Sequence, residues 1–114
     1  MQQVMNRVRG YLESHPMDWT VVPHAPDGFA TWTAAHTYTP GREFAKCLLL
    51  RVEDGVDDEF VLAVVPADHR VDLGKVRRAL RAHSVRMATD AETQEVFPDC
   101  EVGAMPPFGN LYDL

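Results

Sequence analysis

The chain has 114 residues, 46% of them hydrophobic and 25% charged, with a formal net charge of −6. That is enough for one domain and too little for two, and it permits a core without disulfide staples or a structural metal. An acidic balance, taken alone, argues against a nucleic-acid partner.

The opening Met1-Gln2-Gln3-Val4-Met5-Asn6-Arg7 has no apolar central region, so no signal peptide is expected. No apolar run approaches the length of a membrane span, and the expected compartment is the cytoplasm. Val4, Met5, Val8, Tyr11 and Leu12 recur at helical spacing and predict an amphipathic helix over 2–14. His15-Pro16 ends it, because the residue before proline avoids helical dihedrals. Trp19-Thr20-Val21-Val22 reads as a strand closed by Pro23, and Asp27-Gly28 as a turn. Residues 29–39 are open to two readings. Threonines and aromatics favour a strand, and the Ala34-Ala35 pair permits a short helix.

Residues 44–52 and 60–65 read as two strands joined by an acidic, Gly55-containing hairpin loop. Both are rich in Leu and Val without clean alternation, so both faces are expected to be covered. Asp72 caps a helix running to about Ala82, with Leu73, Val76 and Leu80 turned to the core. Ser84–Met87 is a short strand. Thr89-Asp90-Ala91-Glu92 has capping-box form and starts a helix to about Val96. Residues 97–114 read as a long ordered loop. The element order suggests an α+β fold, a single compact domain with a mixed sheet flanked by helices.

Charge is unevenly spread. Residues 53–59 hold five acids, whereas residues 68–86 hold six bases against two acids. A basic patch inside an acidic protein can contact phosphates, although a solvated helix face is the plainer reading.

Lys46 is the most informative residue. The chain has nine arginines and two lysines, yet a lysine sits inside the apolar run Phe44-Ala45-Lys46-Cys47-Leu48-Leu49-Leu50. Alternation places it with Phe44, Leu48 and Leu50. An ammonium on such a row is costly unless it reaches a partner, water or ligand, or snorkels out at the strand's end. A lysine supplies a compact charge that suits one developing oxyanion or one hydroxyl. The segment Gly103-Ala104-Met105-Pro106-Pro107-Phe108-Gly109 is stiffened by prolines and can present backbone N–H groups to a ligand; as a free-standing pattern it reads as a rigid surface loop. None of the five histidines sits in a nucleophile signature. His24 can line a pocket or be an ordinary surface residue. Cys47 and Cys100 read as reduced structural thiols, and no Cys or His pair has metal-ligand spacing.

In order along the chain, Val22-Pro23-His24, the lysine run 44–50, the stretch Val61–Leu73 and the stretch Phe97–Gly109 resemble the YbaK/prolyl-tRNA-synthetase-associated family. The resemblance implies a compact α+β editing domain with a pocket beside the lysine-bearing strand. It implies hydrolysis of the ester joining a mismatched amino acid to tRNA, acting in trans, with no cofactor and no metal. Carried over, Lys46 and Gly103 are the expected catalytic positions. His24, Phe44, Ala104, Met105, Pro106 and Pro107 are the expected substrate contacts. Arg70, Arg77, Arg78 and Arg81 are the expected tRNA contacts. The region 31–38 departs from the alanine-rich helix usual in the family. Members also continue beyond the equivalent of Leu114, so the single domain over 1–114 is expected to be C-terminally incomplete, with an open sheet edge through which two copies can pair. Two rivals are a non-catalytic tRNA- or aminoacyl-binding module of the same fold and an inactive oligomerising fragment.

Overall fold

A computed structural model describes residues 2–22 and 39–114. The described elements are helix α1 (Gln2–Glu13), a 3-10 turn (Gly41–Glu43), strand β1 (Ala45–Glu53), strand β2 (Asp58–Pro66), helix α2 (Leu73–Leu80), strand β3 (Ser84–Met87), helix α3 (Asp90–Val96) and a closing 3-10 turn (Gly109–Tyr112). The expectations for His24, for the Asp27-Gly28 turn and for residues 29–38 lie outside the described residues.

β1 is the spine of the sheet. It pairs with β2 along its whole length, from Ala45 opposite Pro66 to Glu53 opposite Asp58. On its other side Leu50–Glu53 pair with Met87–Ser84. The strand order is β2-β1-β3, and where the sequence suggested a mixed sheet, both pairings among the described residues are antiparallel. The hairpin turn is closed by the Asp54 carboxylate, which accepts from the N–H groups of Val56 and Asp57 at 2.9 and 2.7 Å. Gly55 sits there at φ +92°, a dihedral that an L side chain rarely adopts. β2 and β3 are the edge strands among the described residues.

Both faces of β1 are covered. Neighbouring Leu49 and Leu50 point to opposite faces and are 2% and 0% exposed. Coverage does not extend to β2, where no residue is fully buried and Val64 stands exposed. The main core lies on the Leu49 face. Val4 from α1 meets Leu49, Phe97, Cys100 and Met105, with Val8, Cys47, Phe60, Leu62 and Tyr112 packed around them. Val4 and Val8 are one turn apart and therefore share the buried stripe of α1. Arg7, beside that stripe, donates to the Leu111 carbonyl at 3.2 Å and lies over the Tyr112 ring. The N-terminal helix is thus fastened to the C-terminal segment.

Three local expectations are corrected. Trp19–Val22 forms no strand; Val21 and Val22 are exposed and no ladder partner is described for them. Residues of high strand propensity do not make a strand without a neighbour to take their N–H and C=O groups. The Asp72-capped helix stops at Leu80, not near Ala82. Arg81 turns left-handed at φ 53°, its N–H reaches the Arg77 and Arg78 carbonyls, and Ala82 N–H returns to the Arg77 carbonyl. This is a Schellman close. As a consequence Leu80 ends up exposed at the helix terminus instead of facing the core.

The capping box at α3 is present in full. Thr89 Oγ1 accepts from Glu92 N–H at 3.1 Å, and the Glu92 carboxylate accepts from Thr89 N–H at 2.9 Å. The same carboxylate also binds Arg51 and Arg86, each at 2.8 Å. Those two arginines stand directly opposite each other on β1 and β3. Like charges so placed repel, and Glu92 neutralises the pair. The bond from Arg86, then that from Thr89, hold the Glu92 carboxyl far below its ordinary value. Its contribution is therefore complete above the unfolded glutamate pKa and is lost as pH falls below it. Glu92→Gln is expected to lower the urea midpoint at neutral pH. The gap from the parent should narrow progressively below about pH 4.3. A gap that stays constant from neutral pH to acid contradicts this assignment.

Candidate active site

The lysine end of the hairpin is built from two stacked turns. The 3-10 turn before β1 and the turn after β2 are bound together by Ala67 N–H, which reaches the Gly41 carbonyl at 3.0 Å and the Phe44 carbonyl at 2.8 Å. His69 N–H closes the second turn on the Pro66 carbonyl. A β-carbon at position 41 would lie 3.2 Å from Asp68 Cβ, so the stack needs a glycine or a displacement of Asp68.

Lys46, the second residue of β1, stands opposite Val65 and is half-buried. Its ammonium donates to the His69 main-chain carbonyl at 2.5 Å. Among the described residues no carboxylate pairs with it, and the one hydrogen bond described uses one of its three N–H donors. His69 itself lies 2.7 Å from Asp68, Nδ1 to Oδ1. A shallow hollow of about 270 Å³ opens at this end, lined by Phe44, Ala45, Val64, Val65, Pro66 and the 3-10 turn residues Arg42 and Glu43.

The 103–107 loop has a different footing. Ala104 N–H returns to the Glu101 carbonyl at 2.9 Å, closing a turn with Gly103 at φ +90° in its third position. That dihedral alone favours glycine, because a β-carbon there would have open space around it. Gly103 N–H faces the Met105 thioether at 3.3 Å, a weak acceptor that a stronger one can displace. Met105 and Pro106 are buried, Met105 within the main core, whereas Ala104 and Pro107 are exposed. Pro107 lines a groove of about 420 Å³ along β2 with Phe60, Leu62, Val64, Gly109 and Leu114.

Lys46 and this loop are not joined by any described contact. Alternation sets Lys46 on the Leu48 and Leu50 face, while Met105 packs with Leu49 on the other. What links the two regions is Val64, which borders both the Phe44 hollow and the Pro107 groove. His24 lies outside the described residues. Arg70 follows His69 directly and is exposed, as are Arg77, Arg78 and Arg81 at the C-terminal end of α2; no acidic partner is described for any of the four. Among the described residues no group of three or more His, Cys, Asp or Glu could hold a metal ion. No described helix is long and apolar enough to cross a membrane.

Sequence reasoning missed the Asp68–His69 pair. The available signal was hairpin register: a partner for Ala45 near position 66 brings the residues just after β2 beside those that open β1.

Residues 29–114 match the family model described as the aminoacyl-tRNA editing domain. The chain belongs to that family. Among curated relatives, this editing domain is 28% identical over 102 residues to the multifunctional Ser/Thr-tRNA deacylase ProXp-y of Escherichia coli (strain K12), covering 90% of this chain and 60% of that protein. It is 41% identical over 54 residues to a proline–tRNA ligase of Geobacillus sp. (strain WCH70), 47% of this chain and 9% of the ligase. The editing domain therefore spans about 60% of the deacylase and a small part of the ligase. The crystal structure of hypothetical protein APE2540 superposes with a TM-score of 0.70 at 20% identity, over 89% of this chain and 68% of that one, which shows the shared α+β fold.

Proposed function

We propose that this editing domain hydrolyses the ester joining a mismatched amino acid to the terminal adenosine of tRNA, acting in trans. The observation that carries the reading is the Lys46 ammonium: half-buried, held by the His69 main-chain carbonyl, and carried at the end of the sheet where its neighbours Phe44, Ala45 and Val65 line a hollow. An aminoacyl ester is already activated, so the protein has to position it, stabilise the oxyanion and admit water. Lys46 supplies the positive charge to the ester carbonyl or a ribose oxygen. Gly103, expected from the sequence as a second donor, has its N–H at Met105, whose side chain packs on the other face of the sheet from Lys46, and it takes no part in this reading. Phe44 and Pro107 border the hollow and groove through which the acylated adenosine approaches, with Ala104 exposed nearby in sequence. The Ser/Thr specificity in the name of the Escherichia coli relative makes seryl- and threonyl-tRNA the first substrates to try.

The test is a panel of purified aminoacyl-tRNAs, each followed for loss of the ester with and without the domain. Cleavage of one or a few mischarged species supports the reading. Tight binding of acylated tRNA with no turnover replaces it with a non-catalytic binding module.

Arg70, Arg77, Arg78 and Arg81 belong to the same proposal as phosphate contacts. Neutralising Arg77, Arg78 and Arg81 together is expected to weaken tRNA binding. The slope of log affinity against log salt should flatten by about 1 for each arginine that had met a phosphate. An unchanged slope removes the helix from the interface.

A further inference from the structure

Two interactions converge on His69. Its main-chain carbonyl holds the Lys46 ammonium, and its ring nitrogen Nδ1 lies 2.7 Å from the Asp68 carboxylate. A carboxylate only accepts, so Nδ1 carries the proton, and in the neutral ring the basic lone pair is then on Nε2. The ring is well exposed, with 62% of the side chain open to solvent, so nothing described blocks a substrate from reaching it. The turn that carries both residues is pinned by Ala67 to the turn that opens the lysine strand. An oriented imidazole and the Lys46 ammonium thus share one anchoring residue.

We infer that His69 is the proton-transfer group of the deacylation, with Asp68 as its positioning partner. The inference rests on the deacylase reading above. Nε2 takes a proton from the attacking water as the water oxygen bonds to the ester carbonyl carbon. Lys46 stabilises the oxyanion that forms. The tetrahedral intermediate collapses, the bond to the ribose oxygen breaks, and the imidazolium returns its proton to that oxygen. The products are a free amino acid and the terminal hydroxyl of tRNA, with no net proton held by the protein. Asp68 fixes the ring tautomer and orientation, as a buried carboxylate does in a Ser-His-Asp triad, here from a more exposed position.

The substitution that tests this is cleanly separable from Lys46, because the lysine is held by the backbone of residue 69 and not by its ring. His69→Ala is expected to lower the single-turnover rate on the substrate that the tRNA panel identifies by about a hundredfold or more, the usual share of a general acid–base group. Added imidazole should restore the rate of His69→Ala in a saturable manner and leave Lys46→Ala unaffected. Asp68→Asn should show a smaller rate loss with unchanged substrate affinity. His69→Gln, read the same way, serves if the alanine variant unfolds. A His69→Ala rate within about threefold of the parent, far below the usual general-base effect, overturns the inference, as does a deficit that imidazole leaves untouched. Failure of the functional reading looks different: the unaltered domain then cleaves no member of the panel.

Discussion

Lys46→Ala is expected to lose deacylation by about a hundred- to a thousandfold while remaining folded. The magnitude is that of removing one preorganised charge aimed at a developing oxyanion; the other lysine, Lys75, lies on α2, and Arg42, which lines the hollow, carries a planar guanidinium and not a compact point charge. Folding should survive because, among the described residues, the ammonium makes one hydrogen bond, to a main-chain carbonyl, and neutralises no buried carboxylate. Lys46→Arg should be a poor substitute, since a planar guanidinium does not reproduce a compact point charge. Initial rates on the cleaved aminoacyl-tRNA, paired with a thermal melt of each variant, make the check. Full activity in Lys46→Ala would end the present account of the site.

The second large effect is on stability. Phe97 is 1% exposed and closes α3 against the core, with its ring 4.5 Å from that of Tyr112 and its N–H on the Thr93 carbonyl. It shares that core with Val4, Leu49, Cys100 and Met105, so one side chain ties α1, the sheet and the C-terminal segment together. Phe97→Ala is expected to cost about 3–5 kcal/mol, the transfer term plus the cavity left behind. In a domain whose whole stability is on the order of 5–15 kcal/mol, that is about a fifth or more of the total. Urea unfolding followed by tryptophan fluorescence measures it, and a loss below about 1 kcal/mol would mean that the core collapses around the gap or that Phe97 is not its centre.

Local chemistry made much of the fold legible. The Thr89–Glu92 spacing announced a helix start because two side chains satisfy two backbone donors there, which requires no knowledge of the rest of the chain. Asp72 acts as a cap for the same reason. The lysine in its apolar run was conspicuous because burying an ammonium is costly wherever the strand lies. What sequence could not supply was partnership. Trp19–Val22 has the residues of a strand and no described ladder. Leu80 has the spacing of a core residue and sits one position before a left-handed cap. Met105 and Pro106 looked like exposed loop residues and are buried, because the segment after α3 folds back beneath the sheet. The Asp68–His69 pair went unnoticed because the lysine it accompanies is 23 residues away and only the hairpin register brings them together.

The chain has only two lysines, Lys46 and Lys75, so lysine-selective isotope labelling gives a two-signal spectrum. A titration with an adenosine carrying its amino acid through a non-hydrolysable amide bond reads the site directly. The account predicts that the Lys46 side-chain signal moves and saturates with the analogue while the Lys75 signal stays in place. Saturable binding that leaves Lys46 unmoved would contradict it.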